Sequence, residues 1–176
     1  YRYVARVVAG DARRDLALLR IVRDLDGEPV RRRFSAVRVA RSARAARPGT
    51  PVAAIGYPAD LRTVEVTGGQ VTGVHLNADG ETAWLRTDTR LNPGNSGGLL
   101  IDRRGRLVGI PTGIRTDTTE PIDLAISASQ IPDAWLRPRT WVAGPSGFGM
   151  PTLRPGRTYH EQADGSAIPT AVGTHE

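Results

Sequence analysis

Thr87-Asp88-Thr89-Arg90-Leu91-Asn92-Pro93-Gly94-Asn95-Ser96-Gly97-Gly98 is a polar, glycine-rich loop between two apolar runs, Ala83 to Leu85 before it and Leu99 to Ile101 after it. Pro93 fixes one backbone angle, and Gly94 accepts a positive φ that other residues resist. Gly97 and Gly98 carry no side chain, so another part of the chain can approach their backbone closely. One hydroxyl, Ser96, sits among them. A turn of this kind is expected to hold Ser96 on an exposed crest, with the amides of Gly94, Asn95 and Ser96 converging beside its oxygen. Acyl transfer needs that pairing of a nucleophile with preorganised N–H donors. A bare G-x-S-G pattern is more often an ordinary Gly/Asn/Pro hairpin loop, so the surrounding chain has to decide between the two.

Six candidate strands surround or follow one another around this loop: Pro51 to Tyr57, Thr63 to Leu76, Thr82 to Thr87, Gly98 to Asp102, Arg106 to Thr112 and Ile122 to Ser127. Gly68-Gly69 inside the second suggests a bulge or sharp bend, and Arg103-Arg104-Gly105 a short turn. Short strands at this spacing, with no helical pattern between them, predict an antiparallel barrel. Ser127 to Leu136 is the one predicted helix, capped by Ser127 or Ser129, with Pro132 tolerated in its first turn. Upstream, Tyr1 to Val8 reads as a strand. Asp15 to Val22 is a nearly continuous apolar run opened by one acid, and its length suits a buried strand. Asp24 to Gly49 reads as a surface connector in which Phe34, Val37 and Val39 could form one short extended piece. Trp141 to Glu176 is rich in Gly, Pro, Ser and Thr and reads as a flexible tail.

The composition agrees with a β-rich domain. In 176 residues there are 20 Gly and 13 Pro, and 39% of the chain is hydrophobic, enough for a core. The absence of Cys excludes disulfides and thiol chemistry. The net charge is +6, and all 24 basic residues are Arg. Arg31-Arg32-Arg33, followed by Arg41, Arg44 and Arg47, could be a phosphate-binding patch, but the run lies in a connector without interleaved aromatics and reads better as solvated surface. A nucleic-acid partner is therefore not expected. Steeply salt-dependent binding would reopen that reading. No stretch approaches the roughly 20 apolar residues of a membrane span. The chain opens on Tyr1 without a signal peptide or a start Met.

Three segments now stand in one order: Asp15-Leu16-Ala17-Leu18-Leu19, then Leu91 to Gly98, then Arg106-Leu107-Val108-Gly109-Ile110. Together they resemble the trypsin-like serine peptidases of the chymotrypsin fold, closest to the bacterial HtrA (DegP-like) branch, whose signature loop reads T-D-A-x-I-N-P-G-N-S-G-G. Asp88, Asn92, Pro93, Gly94, Asn95, Ser96, Gly97 and Gly98 match it, and Val52 to Pro58 resembles the first strand of that family's second barrel. The resemblance covers roughly residues 1 to 137. It implies an all-β, chymotrypsin-like double β-barrel: the end of a first, incomplete barrel over 1–24, an inter-barrel connector over 25–49, a complete six-stranded second barrel with a short C-terminal helix over 50–140, and a flexible tail over 141–176.

The resemblance also implies roles. Ser96 would be the nucleophile and Asp15 the acid that orients the catalytic imidazole. Gly94 and Ser96, flanking Asn95, would supply the oxyanion-hole amides. Leu91 would line the pocket for the residue before the scissile bond, and Pro111, Thr112 and Gly113 would lie where the strand pairs with the substrate backbone. Thr112 would place a small hydroxyl near the acid. The physics of Asp15 agrees independently, because an acid opening an apolar run is costly unless it meets a partner such as a histidine Nδ1–H. The other reading has Asp15 capping amides of the turn before it.

The departures are informative. The family places its histidine before the acid, and none of the 14 residues ahead of Asp15 is His. His75 lies in a predicted strand with no reason to face Ser96, and His160 and His175 lie in the tail. The expectation is a chain that lacks the catalytic histidine and the first strands, is nearly inert alone and exposes apolar strand edges. Leu99 stands where the family often has Pro, and Pro111 removes one donor from the substrate-binding strand. Pro121 to Ile126 only loosely resembles the family's Gly-rich strand, and no PDZ-like sequence follows the barrel.

The function expected of the complete domain is a serine endopeptidase cutting polypeptides through an acyl-enzyme, with no cofactor and no metal. The alternative is a catalytically dead trypsin-like module that binds peptides or partner proteins in the same cleft. The resemblance further implies a bacterial secreted or cell-envelope location.

Overall fold

The computed structural model describes residues 3–31, 34–58, 63–115, 122–137, 159–161 and 167–169. It divides into two compact units, one made of Tyr1–Gly10, Ala17–Val30 and Arg139–Glu176, the other of Asp11–Leu16 and Arg31–Pro138. The smaller unit holds two two-stranded sheets, β1 (Tyr3–Asp11) with β2 (Leu16–Asp24), and β10 (Tyr159–Glu161) with β11 (Ala167–Pro169).

The larger unit carries β3 (Arg38–Val39), β4 (Pro51–Gly56), β5 (Glu65–Leu76), β6 (Thr82–Thr87), β7 (Leu99–Asp102), β8 (Arg106–Arg115) and β9 (Ile122–Ser127) in the order β3-β8-β7-β4-β5-β6-β9. A further antiparallel pairing of β8 with β9 closes six of these strands into a barrel, and β3 lies outside it, parallel to β8. This is the predicted six-stranded barrel. The strands form because the sequence alternates. In β4 Val52, Ala54 and Gly56 are buried while their neighbours are half-exposed. Leu85, Leu100, Val71 and Val108 are among the fully buried residues that fill the interior with Val52, Ala54, Leu91 and Ala125. Removing one such leucine side chain would cost about 2–5 kcal/mol.

Three expectations need correction. The run opened by Asp15 is a strand but not a buried one: of β2 only Leu16 is buried, and Leu19 is 54% exposed. Val4 and Ile21 are exposed as well, so the apolar character of the run does not reflect enclosure within the smaller unit. Gly68-Gly69 makes no bulge, since both pair regularly with Ala53 and Val52, and the register shifts fall later, after Val71 and after His75. Gly69 is instead a close approach, where a Cβ would stand 2.4 Å from Asp88 Oδ1. The predicted helix is two 3-10 turns, Ala128–Gln130 and Asp133–Leu136. Ser127 does cap the first, accepting from the Ser129 N–H, but Ile131 precedes Pro132 and is extended at φ −67°, ψ 122°, because a residue before proline is pushed out of the helical region.

The short extended piece expected in the connector is β3, which reduces to Arg38 and Val39. Arg41 pairs with Asp133, and Arg47 Nε donates to the Arg44 carbonyl at 3.3 Å, so these arginines find local partners. The tail over 141–176, including His175, lies outside the described residues except for β10 and β11. No described helix is long and apolar enough to cross a membrane.

Candidate active site

The loop between β6 and β7 is held down along both limbs. On the first, Asp88 Oδ1 accepts the Gln70 N–H at 2.6 Å, and Thr87 Oγ1 donates to the Gln70 carbonyl at 3.0 Å. Buried Thr89 shares a hydrogen bond with Thr87, and Thr67 Oγ1 donates to the Arg90 carbonyl at 3.0 Å. On the second, the Gly97 N–H donates to the Pro111 carbonyl at 2.8 Å, and Gly98 packs so closely that a Cβ there would lie 2.4 Å from the Ile55 carbonyl oxygen. That approach is why no side chain is tolerated at 98.

Between these limbs Asn92-Pro93-Gly94-Asn95 forms a tight turn. The Asn95 N–H donates to the Asn92 carbonyl at 3.0 Å, and Gly94 has φ 98°. Proline followed by a positive-φ glycine is the chemistry of a type II turn. The turn corrects one expectation: the Asn95 amide is spent closing it and does not face outward. Among the described residues the Gly94 and Ser96 amides have no hydrogen-bond partner. The Asn95 side chain is buried, with Oδ1 unpaired, against Gly56, where a Cβ would be 2.6 Å from that oxygen. Ser96 itself is exposed on the crest, and its Oγ donates to the Thr112 carbonyl at 3.1 Å.

Thr112 connects Ser96 to Asp15. In the β8–β9 ladder Pro111 pairs with Ala125 and Gly113 with Leu124, leaving Thr112 as the extra residue of a bulge. A residue freed from the ladder can turn its polar groups elsewhere. The Thr112 hydroxyl donates to Asp15 Oδ2 at 2.8 Å, across 97 positions of sequence. Asp15 ends a tight turn with φ 52°, a left-handed conformation that Asp tolerates better than most residues. The amide-capping job proposed as its other role belongs to Asp11, which accepts the Arg14 N–H at 3.1 Å. Hydrogen bonding to the Arg14 guanidinium holds the Asp11 carboxyl below its ordinary value.

A cavity of about 230 Å³ opens beside the crest, lined by Leu91, Asn92, Pro93, Asn95, Ser96, Pro111, Thr112 and Gly113. Leu91, Pro111, Thr112 and Gly113 were each expected on the substrate side, and they meet here around Ser96. His75 is exposed on β5 opposite Trp84 and hydrogen-bonds to neither Ser96 nor Asp15.

Sequence reasoning missed Asp123. It lies on β9, paired with Thr87 on one side and Ile114 on the other. Burial pushes its carboxyl above the ordinary value, an effect that the Leu91 backbone amide only partly offsets. The signal was available: an acid inside the apolar run Ile122-Asp123-Leu124-Ala125-Ile126 poses the same question that Asp15 did.

Comparison with known proteins gives the same direction as the geometry. The chain is 40% identical over 116 residues to a probable periplasmic serine endoprotease DegP-like of Marinomonas sp. (strain MWYL1), covering 65% of this chain and 23% of that protein. It is 35% identical over 116 residues to the periplasmic serine endoprotease DegP of Escherichia coli (strain K12), covering 64% and 23%. The chain thus spans about a quarter of the length of these curated relatives. Among solved structures, the HtrA-type protease AlgW with decapeptide superposes with a TM-score of 0.55 at 32% identity, over 71% of this chain and 37% of that one. The family description "Trypsin-like peptidase domain" matches residues 2–110, more than half of the sequence and most of the serine-bearing barrel, and the chain belongs to that family.

Proposed function

We propose that this chain forms the serine-bearing part of an endopeptidase that hydrolyses polypeptides through an acyl-enzyme. The carrying observation is the chain of contacts from exposed Ser96 through Thr112 to Asp15, beside two unpartnered amides. In the first step the Ser96 oxygen bonds to the scissile carbonyl carbon as its proton passes to an imidazole. The carbonyl oxygen, now negative, is held by the Gly94 and Ser96 amides. The C–N bond then breaks as the imidazole returns the proton to the leaving amine, and water repeats the sequence to release the acid. Asp15, fixed by Thr112, orients the imidazole.

Among the described residues Ser96 meets a carbonyl and no imidazole. A carbonyl can accept a hydrogen bond but cannot take the proton. We propose that the base is a histidine outside the 176 residues, a reading under which this chain alone is nearly inert, since loss of the base costs roughly a millionfold in turnover in a comparable peptidase. The relatives' names include "periplasmic", which supports a cell-envelope location. The same Ser96–carbonyl contact favours one second reading, a cleft that binds peptides without cutting them. Fluorophosphonate labelling of the full-length protein decides between them. Label on Ser96 supports the peptidase, and a folded protein that stays unlabelled supports the binding module.

A further inference from the structure

We infer that Arg14 and Gln130 are positioning residues for Asp15: they tie the turn that carries this acid to the barrel, so that Thr112 has only the carboxylate left to aim. The consequence for turnover rests on the peptidase reading above; the tether itself does not. All of these residues belong to the larger unit. The need for a tether follows from exposure. Ala12, Arg13, Arg14 and Asp15 are exposed, and burial begins only at Leu16. The turn closes through the Asp15 N–H, which donates to the Ala12 carbonyl at 3.3 Å, and it leaves Asp15 at φ 52°. Packing thus does little to fix where Asp15 stands. The bond from Thr112 to Oδ2 fixes one atom of the carboxylate and not the backbone behind it.

The second anchor lies 116 positions away in sequence, where Gln130 Oε1 accepts Arg14 Nε–H at 3.4 Å. Gln130 is buried and ends the 3-10 turn that follows β9. Its Nε2 donates to the Thr82 carbonyl at 3.2 Å, at the start of β6, which leaves its oxygen for Arg14. A buried amide oxygen is costly without a donor, so the contact favours one placement of the arginine. The same guanidinium also reaches back. Its Nη1 pairs with the Asp11 carboxylate, which accepts the Arg14 N–H at 3.1 Å as well. An exposed ion pair is worth little by itself; the bond to Gln130 is what connects the turn to the barrel. Arginine suits the double task because its donors are fixed in one plane, whereas lysine offers a single flexible ammonium. Asp15 is thus held from two sides, by the bulge of β8 through Thr112 and by the turn after β9 through Arg14.

The test uses the full-length protein. Arg14→Lys keeps a charge beside Asp11 but has no Nε. Gln130→Leu removes the acceptor, while the Thr82 carbonyl keeps its bond from Ser129 Oγ at 3.1 Å. Each variant is expected to lower kcat by about threefold to tenfold, the scale of one hydrogen bond, with KM unchanged. The double variant is expected to be no slower than the slower single one, because both changes break the same contact. Arg13→Lys, at the neighbouring exposed position, is the control and is expected to leave kcat unchanged. An unaltered kcat in either single variant would overturn the inference, as would losses that multiply in the double variant or an equal loss in the control. If Gln130→Leu does not fold, Arg14→Lys decides against the control. Hydrogen exchange over Asp11–Leu16, read by mass spectrometry, judges the tether without turnover. Exchange is expected to quicken in both variants, and an unchanged rate would overturn the inference. Fluorophosphonate labelling of Ser96 is read separately: its failure removes the peptidase reading, while hydrogen exchange still judges the tether.

Discussion

The hydroxyl of Thr112 donates to Asp15 Oδ2 at 2.8 Å, so an acid in a turn near residue 15 is fixed by a bulged residue on the strand that closes the barrel. On the proposed mechanism this contact sets the direction in which Asp15 presents its other oxygen. Thr112→Val keeps the branched shape and removes the donor. It is expected to lower kcat of the full-length protein by about tenfold to a hundredfold, the value of a hydrogen bond to a charged group, with KM nearly unchanged. An unaltered kcat would show that the hydroxyl does not hold the acid for catalysis.

Ser96 stands on an exposed crest and contributes one hydrogen bond. Ser96→Ala should therefore abolish fluorophosphonate labelling while shifting the urea-unfolding free energy by no more than about 0.5 kcal/mol. A large loss of stability would mean that the serine is a structural residue.

Two glycines separate packing from flexibility. Gly98→Ala drives a Cβ to 2.4 Å from the Ile55 carbonyl oxygen, whereas a Cβ at Gly68 meets nothing within 4 Å. The first change is expected to destabilise by about 2 kcal/mol or more, the second by no more than about 0.5 kcal/mol. Equal effects, measured by denaturant unfolding, would show that the loop does not rest on β4 as described.

Acid titration should resolve two aspartates of opposite sign. Burial raises the Asp102 carboxyl, but hydrogen bonds from Arg106 and Arg104 outweigh it and leave the group below its ordinary 3.8. Its contribution is present above 3.8 and is lost as pH falls through the lowered value. Asp102→Ala should thus cost about 2 kcal/mol near neutrality and progressively less in acid. Asp123 runs the other way. Its carboxyl is raised above 3.8, so stability falls as pH rises from 3.8 through that higher value. Asp123→Asn should flatten this segment of the curve, and an unchanged slope would place the titration elsewhere.

The barrel was legible because its strands obey local rules. Period-two alternation marks β4, and Thr82 to Thr87 and Ile122 to Ser127 have the boundaries read from sequence. The serine turn was legible for a related reason, since Pro93 and Gly94 encode a type II turn by their own backbone preferences. What escaped depends on partners distant in sequence. Gly69 matters through Asp88, and Asp123 acquires its neighbours only when β9 pairs with β6 and β8. The lost helix is the exception, because Pro132 was visible and its effect on Ile131 is local.

β8 pairs with β3, β7 and β9, and it also carries Thr112. Heat tolerance and turnover are therefore not independently adjustable in this protein on the proposed mechanism. A substitution that slides the seam by one residue would misdirect the acid and the nucleophile together, and one that tightens it would steady both.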